Sequence, residues 1–162
     1  MPDDMHPQGG PAESPVLDDS SLRRFVGYNI RRAWLALRAA RMPVLADLGL
    51  RTVSFSALTM IVDNPGIIQS RLAAALRMER SNIVVVIDEL ESRGLIARSR
   101  STQDRRVYVL RATPAGRRLR DAALAGLVAH EERMTAGLSA AERRQLVELL
   151  QRIEAQEGRT EA

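Results

Sequence analysis

The sequence contains no cysteine, and this absence excludes disulfides, thiolate metal sites and thiol-based redox switching. Aromatic residues make up 3% of the chain, which predicts a helix-rich interior packed from alanine and leucine. No apolar run approaches the roughly 18 residues that a membrane span needs, and no basic signal peptide opens the chain. We therefore expect a soluble, cytoplasmic protein of about one domain.

Groups that could catalyse a reaction or hold a metal are also scarce. The two histidines, His6 and His130, are far apart in the sequence. Because His130 falls on the apolar side of a predicted helix, we expect it to be packed in the interior or at a dimer interface rather than to bind a metal. The sequence offers no nucleophile–base pair and no glycine-rich phosphate loop at a recognisable spacing. It therefore predicts a protein that is not an enzyme and has no cofactor and no metal.

Lysine is absent as well, so all 24 basic residues are arginine. Residues 71–111 hold nine arginines against five acidic residues, whereas the rest of the chain holds fifteen of each sign. The whole formal net charge of +4 therefore lies in this one segment. A localised excess of arginine favours the binding of a polyanion such as nucleic acid. The alternative is that the arginines reflect coding bias and only keep the protein in solution.

Turn residues and helical spacing divide the first half of the chain. Residues 1–19 contain four prolines and two glycines and predict a disordered tail. A helix is predicted from Ser20 or Ser21, and Pro43 is expected to kink or end it. The residues that follow predict two short helices, Thr52–Asp63 and Gln69–Leu76.

The stretch RSNIVVVIDELESRG, residues 80–94, carries two contradictory signals. Its centre is a run of five β-branched residues, which is typical of a buried strand. Its flanks indicate a helix, because Ile83, Ile87 and Leu90 recur at helical spacing and Gly94 is suited to the left-handed position after a helix. We predict a helix whose tertiary packing overrides the β-propensity.

The order of these elements predicts a winged helix-turn-helix. Three short helices are followed by two alternating segments, Ile96–Arg100 and Arg106–Ala112, that read as a β-hairpin. In that arrangement the third helix enters the major groove of DNA and the hairpin reaches a neighbouring groove. The first turn of the third helix then meets DNA: its amide groups favour a phosphate, Asn82 can pair with adenine, and Arg80 with guanine or phosphate. The methyl groups of Val84 or Val85 can touch the thymine C5-methyl group.

Two long amphipathic helices are predicted at the C-terminal end. Thr113 is a predicted N-cap followed by Pro114 at the first helical position, and Ser139 with Glu142 forms a capping box that opens the last helix. Neither helix can hide its apolar stripe alone. The ends of the chain are therefore expected to pack together across a dimer axis, with an ordinary single-chain bundle as the alternative.

At these residues the sequence resembles a known family. The runs RLAAALRMERSNIVVVIDELESRGLIAR and STQDRRVYVLRATPAGRRL look like those of the multiple antibiotic resistance regulator (MarR) family of bacterial transcription factors. The resemblance covers about Leu22 to Ile153. It implies a homodimer made by the first and the last two helices, and a pseudo-palindromic operator, usually bound as a repressor. Many members carry a polar or basic residue where this chain has Val85, which moves base reading towards Arg80–Asn82.

The predicted hairpin carries a second DNA-binding signal. The sequence Asp104-Arg105-Arg106 matches the Asp-x-Arg wing motif of the family. We expect Asp104 to brace one guanidinium while Arg105 or Arg106 enters the narrow minor groove, where the negative potential is high. Alternatively, Asp104 and Arg106 only hold the hairpin together. The predicted DNA contacts, with Arg98 and Arg100 assigned to phosphates, are Arg71, Arg77, Arg80, Ser81, Asn82, Val84, Val85, Arg98, Arg100, Arg105 and Arg106.

The resemblance further implies an effector site between the dimerisation helices and the DNA-binding domain. Small phenolic or aromatic carboxylates, and in some members acyl-CoA thioesters, occupy that site in the family. The arginines near the first helix favour an anionic ligand, whereas the lack of cysteine rules out the peroxide-sensing branch. The aromatic candidates could equally be core anchors. The predicted effector residues are Tyr28, Asn29, Arg31, Arg32, Trp34, Arg38, Met42, Phe55 and Met60.

Taken together, the sequence predicts a mainly α fold with a small β-hairpin wing and terminal dimerisation helices. Its predicted function is that of a homodimeric transcriptional regulator, released from double-stranded DNA by a small anionic effector such as an aromatic acid or its CoA thioester. The alternative is a non-enzymatic helical protein-interaction adaptor with a degenerate winged helix. The predicted boundaries are a tail at 1–19, a dimerisation and effector helix at 20–50, the winged domain at 51–113, dimerisation helices at 114–156 and a flexible tail at 157–162.

Overall fold

The structure is a computed structural model, and it describes residues 17–101 and 108–160. The chain forms two compact units, Met1–Leu35 and Ala36–Ala162. The predicted N-terminal tail therefore lies mostly outside the described residues, as do the last two residues of the predicted C-terminal tail.

In the first unit, the predicted helix begins later than expected. A 3-10 turn at Leu22–Arg24 comes first, and helix α1 (Val26–Ala46) starts after it. The prediction of a continuous helix from Ser20 or Ser21 is wrong because Phe25 is extended, with φ −96° and ψ 127°, and separates the two helical segments. The carboxylate of Asp19 accepts hydrogen bonds from the Tyr28 hydroxyl (2.7 Å) and from Nε of Arg23 (2.9 Å). These bonds lower the pKa of Asp19 below its usual value.

The end of α1 lies in the second unit, and it decides one of the two outcomes expected at Pro43, a kink or a helix end. The helix does not end at Pro43 but continues to Ala46. Proline lacks a backbone donor, but the Pro43 carbonyl still accepts a hydrogen bond from the Asp47 amide (3.0 Å).

The other elements of the second unit agree with most of the predicted boundaries. The helix predicted at Thr52–Asp63 and the helical form of residues 80–92 are confirmed, and the helix predicted at Gln69–Leu76 ends one residue earlier. The elements are α2 (Thr52–Asp63), β1 (Ile67–Ile68), α3 (Gln69–Ala75), α4 (Arg80–Ser92), β2 (Ile96–Arg100), β3 (Tyr108–Ala112), α5 (Pro114–Met134) and α6 (Ala140–Thr160).

The strands form one antiparallel sheet in the order β1-β3-β2. The hairpin pairs Ile96 with Ala112 and Arg100 with Tyr108. Strand β1 was not predicted, since two residues are too short to show an alternating pattern. It adds Ile67 opposite Leu110 on the far side of β3 and so joins the hairpin to the start of α3.

The main core lies between α2, α3, α4 and the sheet. Helix α4 buries Ile83, Val86, Ile87 and Leu90 on one side while Val85 remains exposed. This one-sided burial is why the run of β-branched residues folds as a helix: the packing of its apolar face outweighs the small helix-propensity penalty of each residue. The other large, fully buried core residues are Leu58, Ile61, Leu72 and Leu110.

A smaller core joins the end of α1 to α5. Leu45, Leu50, Ala123 and Leu127 are buried in it, and Phe55 of α2 packs against them. This contact places α5 beside the winged helix-turn-helix rather than apart from it.

Both predicted helix starts at the C-terminal end are confirmed. The Thr113 hydroxyl accepts a hydrogen bond from the Gly116 amide (3.0 Å), with Pro114 at the first helical position of α5. The Ser139 amide donates to the Glu142 carboxylate (2.7 Å), and the Glu142 amide donates to the Ser139 hydroxyl (3.3 Å). These reciprocal bonds form the capping box of α6 and lower the pKa of Glu142.

Helix α6 leaves its apolar residues uncovered. Of the α6 side chains that the structure describes, none is buried. Leu146, Leu149, Leu150 and Ile153 recur at three- and four-residue steps, so they share one face, and each is at least 39% exposed. An uncovered leucine stripe of this length indicates a partner surface. No helix in the described residues has the length and apolar character needed to cross a bilayer.

Candidate nucleic-acid interface

Helices α3 and α4 are joined by a tight turn at Leu76–Glu79. Arg77 adopts the left-handed region in this turn, with φ of 50°, which is uncommon for a residue other than glycine. The Met78 amide donates to the Ala73 carbonyl (2.9 Å), and this hydrogen bond closes the end of α3. Glu79 is extended and starts α4. The result is the short helix–turn–helix connection that the sequence predicts.

The first turn of α4 is open to solvent. Arg80, Ser81 and Asn82 are all exposed, and they stand at the helix end where backbone amides and the helix dipole favour an anion. The structure therefore groups one cation and two hydrogen-bonding side chains on an accessible helix end. This arrangement is suited to contacts with base edges and phosphates.

The next turns of α4 are different in character. Val85 is 62% exposed, whereas Val84 is partly buried. The carboxylates that follow are paired within the protein: Asp88 contacts Arg98, and Glu89 contacts Arg51. The acidic half of the helix is thus neutralised by arginines of the same unit.

Arg98 connects the hairpin to α4. Its guanidinium contacts Asp88 and lies 3.2 Å from the Glu91 carboxylate, and its backbone amide donates to the same carboxylate (3.2 Å). Its side chain is 28% exposed. The phosphate contact predicted for Arg98 stays a prediction, and the structure gives this arginine a position that fastens β2 to α4.

A polar cluster that the sequence reasoning missed ties α4 to α2 and to the turn before it. The Glu89 carboxylate contacts Arg51 and lies 3.3 Å from the hydroxyl of Ser54, which is fully buried. Arg93 donates to the Gly49 carbonyl (2.7 Å). The four-residue spacing of Glu89 and Arg93 was the one visible signal, and it cannot reveal partners that are some forty residues away.

The hairpin is described up to Ser101 and again from Tyr108. Arg100 lies over the ring of Tyr108, its partner across the strands, at 6.0 Å from the ring centre. The predicted wing residues Asp104, Arg105 and Arg106 lie outside the described residues.

The two remaining predicted DNA contacts lie in α3 and in the turn that follows it. Arg71 of α3 is exposed, and the Arg77 guanidinium lies 3.6 Å from the Glu154 carboxylate of α6. Both side chains of that pair are largely exposed, so it is worth little stability.

The predicted effector residues fall in both compact units. In the first unit, the Tyr28 hydroxyl donates to Asp19 and the Asn29 amide donates to the Arg23 carbonyl (2.7 Å), so both groups have local structural partners. Arg31, Arg32 and Trp34 are exposed in that unit. In the second unit Phe55 and Met60 are partly buried against the two cores, whereas Arg38 and Met42 are exposed.

No group of three metal-binding side chains occurs within residues 17–101 and 108–160. His130 is partly buried on α5, and its Nε2 atom has no hydrogen-bond partner in this part of the chain.

The sequence profile described as MarR family matches residues 50–108. A protein of Thauera aromatica, described as a transcriptional regulatory protein for the hcr operon, is 34% identical over 158 residues, which are 96% of this chain and 95% of that protein.

Two solved structures share the fold. The transcriptional repressor CouR bound to a 23-mer DNA duplex has a TM-score of 0.79 and 35% identity, over 86% of this chain and 99% of that one. CouR from Rhodococcus jostii RHA1 bound to p-coumaroyl-CoA has a TM-score of 0.74 and 34% identity, over 83% of this chain and 94% of that one.

Proposed function

The chain belongs to the MarR family of transcriptional regulators, and we propose that it is a homodimeric repressor released from its operator by a small anionic effector. The observation that carries this proposal is the exposed first turn of α4, with Arg80, Ser81 and Asn82, on a chain similar to a repressor solved on duplex DNA. In the proposed complex α4 enters the major groove and the hairpin reaches the adjacent minor groove.

The surface charge supports DNA as the ligand. The segment 71–111 holds the formal net charge of +4, and three of its five acidic residues, Asp88, Glu89 and Glu91, are paired with arginines. The phosphate backbone therefore meets Arg71, Arg80 and Arg100 without an unpaired carboxylate on α4 to oppose it. Affinity should fall steeply with salt, because each phosphate contact releases counterions.

The exposed leucines of α6 support the proposed dimer. A contiguous apolar stripe that is exposed to water marks an interaction surface, and a two-fold dimer presents the same stripe twice. Two copies of α4 then face two half-sites, which is the arrangement that a pseudo-palindromic operator requires.

The direct test is binding of the purified protein to the DNA that flanks its own gene, measured by mobility shift and followed by footprinting. We expect a protected pseudo-palindrome bound at about nanomolar Kd. A protein-interaction adaptor with a degenerate winged helix would show only weak binding that does not depend on sequence. That result would remove the proposed function.

The wing arginines supply the first mutational prediction. We expect Arg105→Ala and Arg106→Ala each to weaken operator binding about tenfold or more, because a guanidinium in the minor groove meets a concentrated negative potential. The slope of log K against log salt should become shallower by about one for each lost contact. Fluorescence anisotropy from low to moderate salt measures both quantities.

The thermal stability of the same two variants distinguishes a contact with DNA from a role that only holds the hairpin together. If Arg106 only holds the hairpin together, Arg106→Ala will lower the melting temperature along with the affinity. Arg144→Ala on α6 is the control, since it removes one exposed arginine away from α4. An unchanged affinity and salt slope in both wing variants would exclude the wing from the interface.

For the effector, we propose an aromatic acid or its CoA thioester, supported by the similarity to a repressor solved with p-coumaroyl-CoA. We expect one of two compounds, p-coumaroyl-CoA or p-coumaric acid, to release the DNA when it is titrated into the protein–DNA complex. Arg38→Ala should raise the concentration needed for half-release several-fold if that arginine contacts the anion. If neither compound releases the DNA, the effector is a different molecule, and the DNA-binding proposal is unaffected.

A further inference from the structure

The outward side of α4 carries an exposed aliphatic residue where the helix would face the bases. Val85 is 62% exposed, one turn beyond Ser81 and Asn82. A valine in a helix has one strongly preferred χ1 rotamer. Its two methyl groups are therefore held in one position before DNA binds, so little side-chain freedom is lost on binding.

Beyond Val85 the polar groups of α4 have partners within the protein. Asp88 contacts Arg98, Glu89 contacts Arg51, and the Ser92 hydroxyl donates to the Glu89 carbonyl (2.8 Å). The outward contact from the middle of the helix is therefore apolar.

We propose that Val85 is a specificity-determining residue that recognises the C5-methyl group of one thymine in each operator half-site. The inference rests on the proposed function, in which α4 lies in the major groove. Thymine is the base that displays a methyl group in that groove, and an apolar side chain recognises it by van der Waals contact. A polar side chain at position 85 would instead select a hydrogen-bonding base edge.

The test uses the full-length protein and an operator duplex selected from a random pool. Each thymine of one half-site is replaced in turn by deoxyuridine, which removes the methyl group and keeps base pairing. At one position we expect the wild-type protein to bind about fourfold more weakly, the value for one buried methyl group. Val85→Ala should bind the thymine and deoxyuridine duplexes with equal affinity at that position.

Val84→Ala is the matched control, because it removes the same two methyl groups one residue earlier from a partly buried site. It should keep the fourfold preference for thymine. Circular dichroism shows whether each variant is folded.

The inference is overturned if the wild type ignores every methyl removal, if Val85→Ala keeps the preference, or if Val84→Ala is the variant that loses it. Failure of the wild type to select any duplex is a different outcome. That result removes the proposed function itself.

Discussion

Replacing Gly116 with alanine is expected to lower the free energy of unfolding by about 3 kcal/mol, the upper part of the range for overpacked sites. A Cβ atom at this position would lie 2.0 Å from the carbonyl oxygen of Leu95 and 2.9 Å from its carbonyl carbon. Both are backbone atoms, and the same carbonyl accepts a hydrogen bond from the Thr113 amide (3.0 Å). Neither α5 nor the start of β2 can move away without losing this bond.

The expected loss of stability is opposite to the effect that helix propensity predicts for a glycine-to-alanine change. An alanine in a helix interior is ordinarily more stable than a glycine by up to about 1 kcal/mol, so propensity alone predicts stabilisation. Gly27→Ala in α1 is the control, because a Cβ atom there has no neighbour within 4 Å. It should be neutral or slightly stabilising.

Urea unfolding of both variants at one protein concentration gives the comparison, since the stability of the proposed dimer would depend on concentration. Wild-type stability in Gly116→Ala would show that α5 does not pack against Leu95 as described.

The second large effect is expected from α6. Replacing Leu149 and Ile153 by glutamate should make the protein monomeric and weaken operator binding at least about 100-fold, because the two half-sites would no longer be bound as one event. Both side chains are more than 40% exposed, so their replacement leaves the described cores intact. Each leucine-sized side chain buried at an interface stabilises the dimer by about 1.5–3 kcal/mol. A carboxylate at the same place would destabilise the dimer instead.

The control for α6 adds the same charges on the other side of the helix. Gln151→Glu with Ala155→Glu has the same four-residue spacing, and both residues are exposed. This variant should remain dimeric and bind DNA. Analytical ultracentrifugation and fluorescence anisotropy measure the two properties, and a dimeric Leu149→Glu/Ile153→Glu variant would refute α6 as the dimer surface.

Local signals predicted most of the secondary structure because they are physical constraints within a few residues. Thr113 with Pro114 and Ser139 with Glu142 satisfy the first amides of α5 and α6. Gly94 takes the predicted left-handed conformation, with φ of 66°. Such contacts depend on neighbours in sequence, so a single sequence displays them.

Local secondary-structure signals were misleading where contacts between distant residues decide which structure forms. Pro43 is tolerated inside α1, and the two-residue strand β1 exists because β3 offers it a partner. The arginine excess of residues 71–111 was visible, but not that Arg51 and Arg98 would be the partners of the acidic half of α4.

The sequence by itself determined the helix-rich fold, the starts of α5 and α6, the end of α4 before Gly94, and the arginine-rich segment with its Asp-x-Arg motif. All of these depend on composition or on contacts a few residues apart. Only the tertiary structure decided which valine of Ile83–Ile87 faces solvent, which arginines are paired with carboxylates, and that Gly116 lies against the Leu95 backbone. These features depend on residues that are distant in sequence, and their positions are fixed only when the helices pack.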